Sequence, residues 1–161
     1  MSRSRYETGR FDVLQSAVFL ARPACGFIDS ARWPALTDMR RDQARSLNLA
    51  GVMVTVDDVI IYAMEGGPAA LDDFLRLLTI SPCQAVTHEA WRETIRFRVQ
   101  RVLALSQPVL MSEEILALQQ ALRPDAPAYG DIPPLLGAAA MRWVMQPYRT
   151  ALKPTNRLVI S

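Results

Sequence analysis

The sequence predicts an α+β fold of the ferredoxin-like type, in which a βαββαββ order of elements builds one sheet with two helices on one face. Two β-branched runs around Asp57-Asp58 indicate a central hairpin. Amphipathic segments before and after this hairpin supply the two helices, and two more amphipathic segments follow residue 107. Both hairpin strands are apolar on both faces, so the second face also needs a cover. We expect the C-terminal helices to provide it; self-association of the sheet is the alternative.

The first strand is predicted over residues 11–20, FDVLQSAVFL, which are largely apolar and suited to β-structure. After a break at residues 23–26, Asp29 or Ser30 can cap a helix that runs to about Leu47. One side of this helix carries a stripe made of Trp33, Leu36, Met39 or Arg40, Gln43 and Leu47. The opposite side carries charges of both signs and is predicted to face solvent: Asp38, Arg40, Arg41, Asp42 and Arg45.

The hairpin strands are predicted over residues 51–56 and 59–64. Asp57-Asp58 lacks the glycine that two-residue turns favour, so a longer loop stays open. Pro68 suits the first turn of the next helix, because the N–H that proline lacks is not needed there. That helix presents an apolar face with helical spacing: Leu71, Phe74, Leu75 and Leu78.

The fourth and fifth strands are predicted within residues 84–93 and 97–105. Ser112 is then expected to cap a helix that runs through about Leu122, with acidic residues suited to its positive N-terminal end. The inward residues of this helix are Ile115, Leu118 and Leu122.

A proline-rich loop over residues 123–134 leads to a last helix over residues 135–146. The apolar positions of that helix are Leu136, Ala139, Ala140, Trp143 and Val144. The chain is therefore divided into a flexible arm (residues 1–10), a domain (residues 11–107) and a helical extension that packs on the sheet (residues 108–161).

Composition narrows the class of function. Half of the 161 residues are hydrophobic, and 18 basic residues against 16 acidic ones give a net charge of +2. This balance favours a globular core and argues against a nucleic-acid partner, which usually brings a clustered basic surplus. Cys25 and Cys83 lie far apart without metal-ligand or disulfide spacing, which predicts two reduced structural thiols. Neither a signal peptide nor a membrane span is indicated, so we expect a cytoplasmic protein without membrane contact.

No catalytic grouping can be assembled from the sequence. His88 is the only histidine, and Glu89, its neighbour in a predicted strand, would point to the opposite face. No nucleophile with an adjacent base, phosphate-binding loop or metal-ligand cluster is indicated, so an enzyme is not predicted.

Two features are candidates for protein contact. The densest basic group comprises Arg92, Arg96, Arg98 and Arg101. Arg96 and Arg98 would share one face of the fifth strand, where they either guard a solvated sheet edge or contact an acidic partner protein. Trp143, with Met141 and Met145 on the last helix, either belongs to the core or contributes to an apolar interaction surface.

The segment from Leu49 to Leu75, LAGVMVTVDDVIIYAMEGGPAALDDFL, resembles the central block of BLUF domains, the sensors of blue light that use flavin. That block has a threonine-glycine before an apolar strand, a short turn, a second strand ending in Leu-Glu-Gly, and a helix starting near a proline. The matching positions here are Ala50-Gly51, Met64-Glu65-Gly66 and Pro68. The wider resemblance covers about residues 10–107 and implies the same fold.

In that family the flavin ring lies between the first two helices, where a tyrosine on the first strand and a glutamine on the third hydrogen-bond to each other and to the flavin. The resemblance places the tyrosine position at Phe19 and the glutamine position at Tyr62. The family's flavin-holding asparagine has no counterpart at its usual spacing, where this sequence has Gln43-Ala44-Arg45. A tryptophan and methionine segment around the fifth strand is also missing. The resemblance thus implies flavin-pocket positions at Phe19, Arg45 and Tyr62 with altered chemistry.

Phenylalanine has no ionisable proton, and a phenol cannot reproduce the paired donor and acceptor of an amide. The favoured hypothesis is therefore a BLUF-like signalling or regulatory module that acts by protein–protein contact, as a homodimer or with a regulatory partner, and without a cofactor. The alternative is a photoreceptor that binds FAD through atypical pocket residues.

Overall fold

The computed structural model describes residues 13–80, 86–100 and 104–152. Its regular elements, in chain order, are β1 (Leu14–Arg22), α1 (Trp33–Ser46), β2 (Ala50–Val56), β3 (Val59–Gly66), α2 (Pro68–Thr79), β4 (Val86–Ile95), β5 (Ala104–Ser106), α3 (Ser112–Ala121) and α4 (Ile132–Leu152). A short 3-10 turn, Tyr129–Asp131, precedes α4. The predicted arm over residues 1–10, Cys83 and Arg101 lie outside the described residues.

The sheet has five strands in the order β4-β1-β3-β2-β5. Adjacent strands are antiparallel except β2 and β5, which run parallel through three residue pairs. This arrangement confirms the predicted α+β class and the ferredoxin-like order of elements. The hairpin turn has only two residues, because Val56 pairs directly with Val59. Asp57 takes a left-handed φ of 54°, which aspartate tolerates better than most residues and which supplies the backbone freedom that a glycine would have given.

Two separate cores cover the two faces of the sheet. Side chains alternate along each strand, so successive residues of β1 and β3 enter opposite cores. The first core, under α1 and α2, contains Phe19, Met53, Tyr62, Leu71 and Phe74. The second core, under α3 and α4, contains Val18, Val54, Ile61, Leu118, Ile132 and Leu136. The C-terminal helices therefore cover the second face, as the doubly apolar hairpin predicted. The proposed domain boundary near residue 107 stays a prediction.

The predicted helix starts need small corrections. Helix α1 begins at Trp33 rather than beside Asp29 or Ser30. The Ser30 hydroxyl instead donates to the carbonyl of Phe27 at 2.6 Å and accepts the Arg32 N–H at 3.2 Å, so it stabilises the turn before the helix. Helix α3 has Met111 as its N-cap residue, with Ser112 already inside the first turn.

Two further boundaries differ from the predictions. Helix α4 begins at Ile132, three residues early, because Pro133 and Pro134 are tolerated in a first turn where no N–H is required. The fifth strand is confined to residues 104–106, whereas residues 96–100 form bends. Arg96 and Arg98 therefore do not share a strand face, and the prediction of an edge strand there is wrong. The physical reason is a carboxylate on β3, described below.

Candidate functional site between α1, α2 and the sheet

Phe19 and Tyr62 lie side by side in the middle of the sheet. They are direct partners in the antiparallel pairing of β1 with β3. Phe19 is 0% exposed and Tyr62 is 1% exposed. The ring of Phe74, from α2, stacks on Phe19 at a centroid distance of 6.2 Å and meets Tyr62 edge-on at 5.6 Å. Aromatic pairs at such distances attract each other beyond the burial of their area. Both positions are thus buried among apolar neighbours, as a protein-filled cleft requires.

Gly51 and Gly66, from the Ala50-Gly51 and Glu65-Gly66 motifs, lie where a larger side chain would clash with neighbouring residues. A Cβ at Gly51 would collide with the thioether of Met64 and approach the carbonyl of Ala63 at 2.8 Å. A Cβ at Gly66 would overlap the Leu49 side chain. Because Met64 and Leu49 both belong to the core under α1 and α2, these glycines let β2 and β3 lie close beneath it.

The predicted pocket residue Arg45 lies elsewhere. Its side chain is 68% exposed on the solvent side of α1, where it pairs with Asp42 at 3.8 Å. Asn48 is also exposed and takes a φ of 57° directly after α1, while the Leu49 N–H donates to the Ala44 carbonyl at 2.9 Å. Asn48 therefore ends the helix, a role in which asparagine substitutes for glycine.

Arg40 occupies the inward side of α1 instead. It is only 2% exposed and is the largest of the fully buried side chains. Its Nη1 donates to Gln43 Oε1 at 2.9 Å, whereas its buried Nε has no hydrogen-bond partner among the described residues. An unsatisfied buried donor on a cation is costly, so this position departs from ordinary core packing. The prediction that Arg40 belongs to the solvated face is wrong; its alternative placement in the inward stripe is confirmed.

Glu65 lies three residues after Tyr62 and is fully buried on the opposite face of β3. Its carboxylate accepts the Val99 N–H at 2.7 Å and the Gln100 N–H at 2.9 Å. Burial raises the pKa of Glu65 above its ordinary range, although the two backbone donors and the nearby Arg98 cation act in the opposite direction. These contacts bend residues 96–100 back onto β3, which is why the chain does not continue as a strand there.

The bent segment also contacts α4. The buried Gln100 side chain donates from Nε2 to the carbonyl of Pro133 at 2.9 Å. A Cβ at Gly137 would lie 3.0 Å from Val99 Cγ1 and 3.2 Å from the Val99 carbonyl, so a glycine there gives α4 room beside the segment. Hydrogen bonds through Glu65 and Gln100 therefore join the end of β3 to the first turn of α4.

The predicted contact residues are accessible but dispersed. Arg96 and Arg98 are exposed on the bent segment, and an Arg98 Nη1 donates to the Glu65 main-chain carbonyl at 3.4 Å. Trp143 is 41% exposed on α4, which favours the surface interpretation over the core. Arg92 is held by Glu89 and by Asp72 at 2.9 Å, so it belongs to an ion-pair group instead of a free basic patch. His88 is exposed on β4, the edge strand.

The sequence allowed Arg40 to lie either in the inward stripe of α1 or on its solvated face, and it did not indicate the contacts of Glu65. A charged residue at an inward helical position, and a glutamate closing an otherwise apolar strand, were the only available signals. Among the described residues, no group of three or more histidine, cysteine, aspartate or glutamate side chains could hold a metal ion. In the same part of the chain, no helix combines the length and apolar character needed to cross a membrane.

Several solved structures have folds similar to that of this chain. BlrB, a BLUF protein in its dark state, superposes with a TM-score of 0.62 at 17% identity, over 79% of this chain and 97% of BlrB. BlsA in its photo-activated state gives 0.61 at 10% identity, over 79% and 94% of the two chains. A bacterial light-regulated adenylyl cyclase gives 0.55 at 14% identity, over 68% of this chain and 33% of the cyclase.

Comparison with protein-family models finds no match, and neither does comparison with curated protein sequences. Sequence identities this low carry the fold but not the chemistry of the neighbours. The superposition nevertheless spans 97% of BlrB, so the likeness extends over a whole BLUF protein. The chain therefore has the fold of BLUF domains.

Proposed function

We propose that this chain is a non-enzymatic, BLUF-like signalling or regulatory module that acts in the cytoplasm through protein–protein contact and without flavin photochemistry. The observation that carries the proposal is the pair Phe19 and Tyr62, buried side by side beneath Phe74. Phenylalanine can neither give up a proton nor donate a hydrogen bond, and tyrosine lacks the amide's separate donor and acceptor. The residues at these two positions therefore do not fit the flavin reaction that the fold implies.

A regulatory role needs a link from the central sheet to the surface, and the contacts of Glu65 supply one. Tyr62 and Glu65 lie on the same strand, and Glu65 holds the segment that carries the exposed Arg96 and Arg98. Gln100 continues the path to α4, which carries Trp143. One neighbour of this fold is a light-regulated cyclase, so such domains can be joined to effectors. We infer that this chain controls a partner protein or a second copy of itself through the bent segment and α4.

The absorption spectrum of the purified full chain tests the proposal directly. The protein is produced with added riboflavin, and BlrB is prepared in parallel as a positive control. We expect a colourless protein with no visible bands. Bands of oxidised flavin would contradict the absence of a cofactor, and a reversible red shift under blue light would contradict the absence of photochemistry. Light scattering on the same sample measures whether the chain forms a dimer.

FAD binding by an atypical pocket is the second candidate, and Arg40 is the observation that favours it. A buried cation with an unpartnered Nε would suit an anionic group between α1 and α2. Flavin released by denaturation is measured for the wild type and for Arg40→Met, which keeps the apolar stem but removes the charge. Bound flavin that is lost in the variant would establish this candidate. Equal absence of flavin from both proteins would remove it.

A further inference from the structure

Three side chains of the bent segment, those of Arg96, Phe97 and Arg98, stand out from the protein surface and are called the Arg96–Arg98 protrusion below. Phe97 is 82% exposed, a larger fraction than that of any other large hydrophobic side chain among the described residues. Both arginines are exposed as well. Aromatic and arginine side chains are enriched among the residues that contribute most to binding at protein interfaces. An aromatic ring between two cations is therefore a candidate contact with a partner.

The protrusion is fixed at both of its ends. Before it, Ile95 is the last residue of β4 and pairs with Leu14 of β1. After it, the N–H groups of Val99 and Gln100 donate to the buried Glu65 carboxylate at 2.7 and 2.9 Å. A surface that is held in place before binding loses little conformational entropy when a partner docks. The contacts that fix this backbone leave the ring and the cations beside it available for binding.

The two cations are not neutralised by ion pairs. The ion pairs formed among the described residues include neither Arg96 nor Arg98. Arg98 instead donates to the main-chain carbonyl of Glu65 at 3.4 Å. Arg92, on the preceding strand, differs from both because it is held by Asp72 and Glu89. The protrusion is therefore complementary to acidic groups on a partner.

The charge pattern around the protrusion favours a protein over a nucleic acid. Glu93, three residues before Arg96, and Glu89 are exposed on the same edge strand. Carboxylates beside the protrusion repel a chain of phosphates, and single-stranded nucleic acid needs a basic groove that follows its backbone. A protein segment can instead place its carboxylates opposite the two arginines alone.

We propose that the Arg96–Arg98 protrusion binds an acidic segment of a partner protein. An apolar side chain of that segment packs on the Phe97 ring, and carboxylates on either side of it pair with Arg96 and Arg98. The ring supplies most of the affinity, and the arginines orient the partner and speed its association. The inference rests on the proposed function in that the partner is a protein.

A phage-displayed library of random dodecapeptides, selected on the full chain, provides the probe. We expect the enriched peptides to combine a bulky apolar residue with two or more aspartates or glutamates. Fluorescence polarisation of a labelled synthetic copy then measures the Kd, which should rise about fivefold or more between about 50 and about 300 mM NaCl, because salt screens exposed charges. The absence of enriched peptides, or enriched peptides without acidic residues, would overturn the proposal.

Two matched pairs of variants locate the contact. Phe97→Ala should weaken binding of this peptide about tenfold or more, whereas Ile80→Ala, at a 71% exposed residue that ends α2, should change it less than about twofold. Arg96→Glu should likewise weaken binding about tenfold, while Arg123→Glu, at an exposed residue that pairs with Asp125, should not. Equal effects within either pair would contradict the assignment.

Folding of the variants is checked separately. The bonds to Glu65 use backbone N–H groups beyond the protrusion, so Phe97→Ala and Arg96→Glu should keep the circular dichroism spectrum and the urea midpoint of the wild type. A large loss of stability in Phe97→Ala would mean that the ring packs against its own chain, and it would overturn the proposal.

Other occupants would give different results with the same variants. A dimer that light scattering detects for the wild type and not for Phe97→Ala would assign the protrusion to a second copy of this chain. Binding of a labelled oligothymidylate of about 20 nucleotides that Phe97→Ala abolishes would assign it to nucleic acid. Either result would overturn the proposal.

Failure of this inference and failure of the proposed function give different results. A colourless protein that selects no acidic peptide would leave the function standing without this contact. A flavin-bearing protein that still selects such peptides would keep the contact and remove the proposed function.

Discussion

The two faces of the sheet are equally buried, yet they are built from different side chains. Under α1 and α2, the core contains three buried rings, with Phe74 against both Phe19 and Tyr62, and the cation of Arg40 is buried on the same side of the sheet. Under α3 and α4 the fully buried core residues are aliphatic, with the Arg142–Glu114 pair beside them and the buried Glu65 carboxylate at the end of β3. The aromatic face, under α1 and α2, contains two of the flavin-pocket positions that the resemblance implies, and the aliphatic face, under α3 and α4, holds the C-terminal helices on the sheet.

The largest expected effect comes from the centre of the aromatic face. Phe19→Ala removes a ring that is 0% exposed and stacked on Phe74, so we expect a loss of about 3–5 kcal/mol in the free energy of unfolding. Urea unfolding followed by circular dichroism measures it. A loss below about 1 kcal/mol would mean that the cleft is open rather than filled by these rings.

The aliphatic face should respond almost as strongly. Leu118→Ala deletes a fully buried side chain that joins α3 to the sheet, and we expect a loss of about 2–4 kcal/mol. Leu116→Ala, two residues away and 56% exposed, is the control and should change stability by less than about 0.5 kcal/mol. Similar small losses for both variants would show that α3 does not hold the second face.

Glu65→Gln tests the junction between the faces. The pKa of Glu65 is raised by burial, so the folded protein holds the proton more tightly than the unfolded chain. Stability should therefore be highest below the ordinary carboxyl range and fall as pH rises through the folded-state pKa. The variant should lose this dependence.

At neutral pH the variant should be less stable by about 1–2 kcal/mol, because an amide NH₂ would face one of the two backbone donors. Unfolding curves over a pH series measure both effects, and an unchanged pH dependence would contradict the assignment.

The smallest expected effect lies at the rim of the aliphatic face. Arg142 pairs with Glu114 through two contacts, at 2.7 and 2.8 Å, and this hydrogen-bonded pairing lowers the pKa of Glu114. The stabilisation by this pair is present at pH values above the unfolded-state pKa of Glu114 and is lost as pH falls through the folded-state pKa. This pH dependence is opposite in sign to that of Glu65.

Arg142→Ala should cost about 1 kcal/mol at neutral pH and almost nothing in acid. Arg123→Ala, which breaks an exposed pair with Asp125, is the matched control and should cost less than about 0.5 kcal/mol. Equal costs for the two variants at neutral pH would mean that the partial burial of the Glu114 pair adds nothing.

Much of the architecture could be predicted, because the hairpin strands are apolar on both faces and the helices have clear apolar stripes. Because both faces of the hairpin are apolar, helices were expected to pack on both faces of the sheet, and they do so in the structure. The short fifth strand could not be predicted, since the Glu65 carboxylate that bends residues 96–100 acts from about 35 residues away in the sequence.

The candidate site was only partly accessible from sequence. The resemblance placed Phe19 and Tyr62 in one pocket, and the antiparallel pairing of β1 with β3 makes them direct partners. Arg40 and Arg45 could not be separated by residue type alone. They lie on different sides of α1, and only the packing of that helix decides which cation is buried.

Glu65 holds the bent segment through the amides of Val99 and Gln100, which every amino acid except proline possesses. The identities of neighbouring side chains, such as the exposed Phe97 and Arg98, do not enter these two bonds. Substitutions at an exposed position such as Phe97 should therefore change the surface of this segment without breaking either bond, whereas proline at position 99 or 100 would remove one of the two donors.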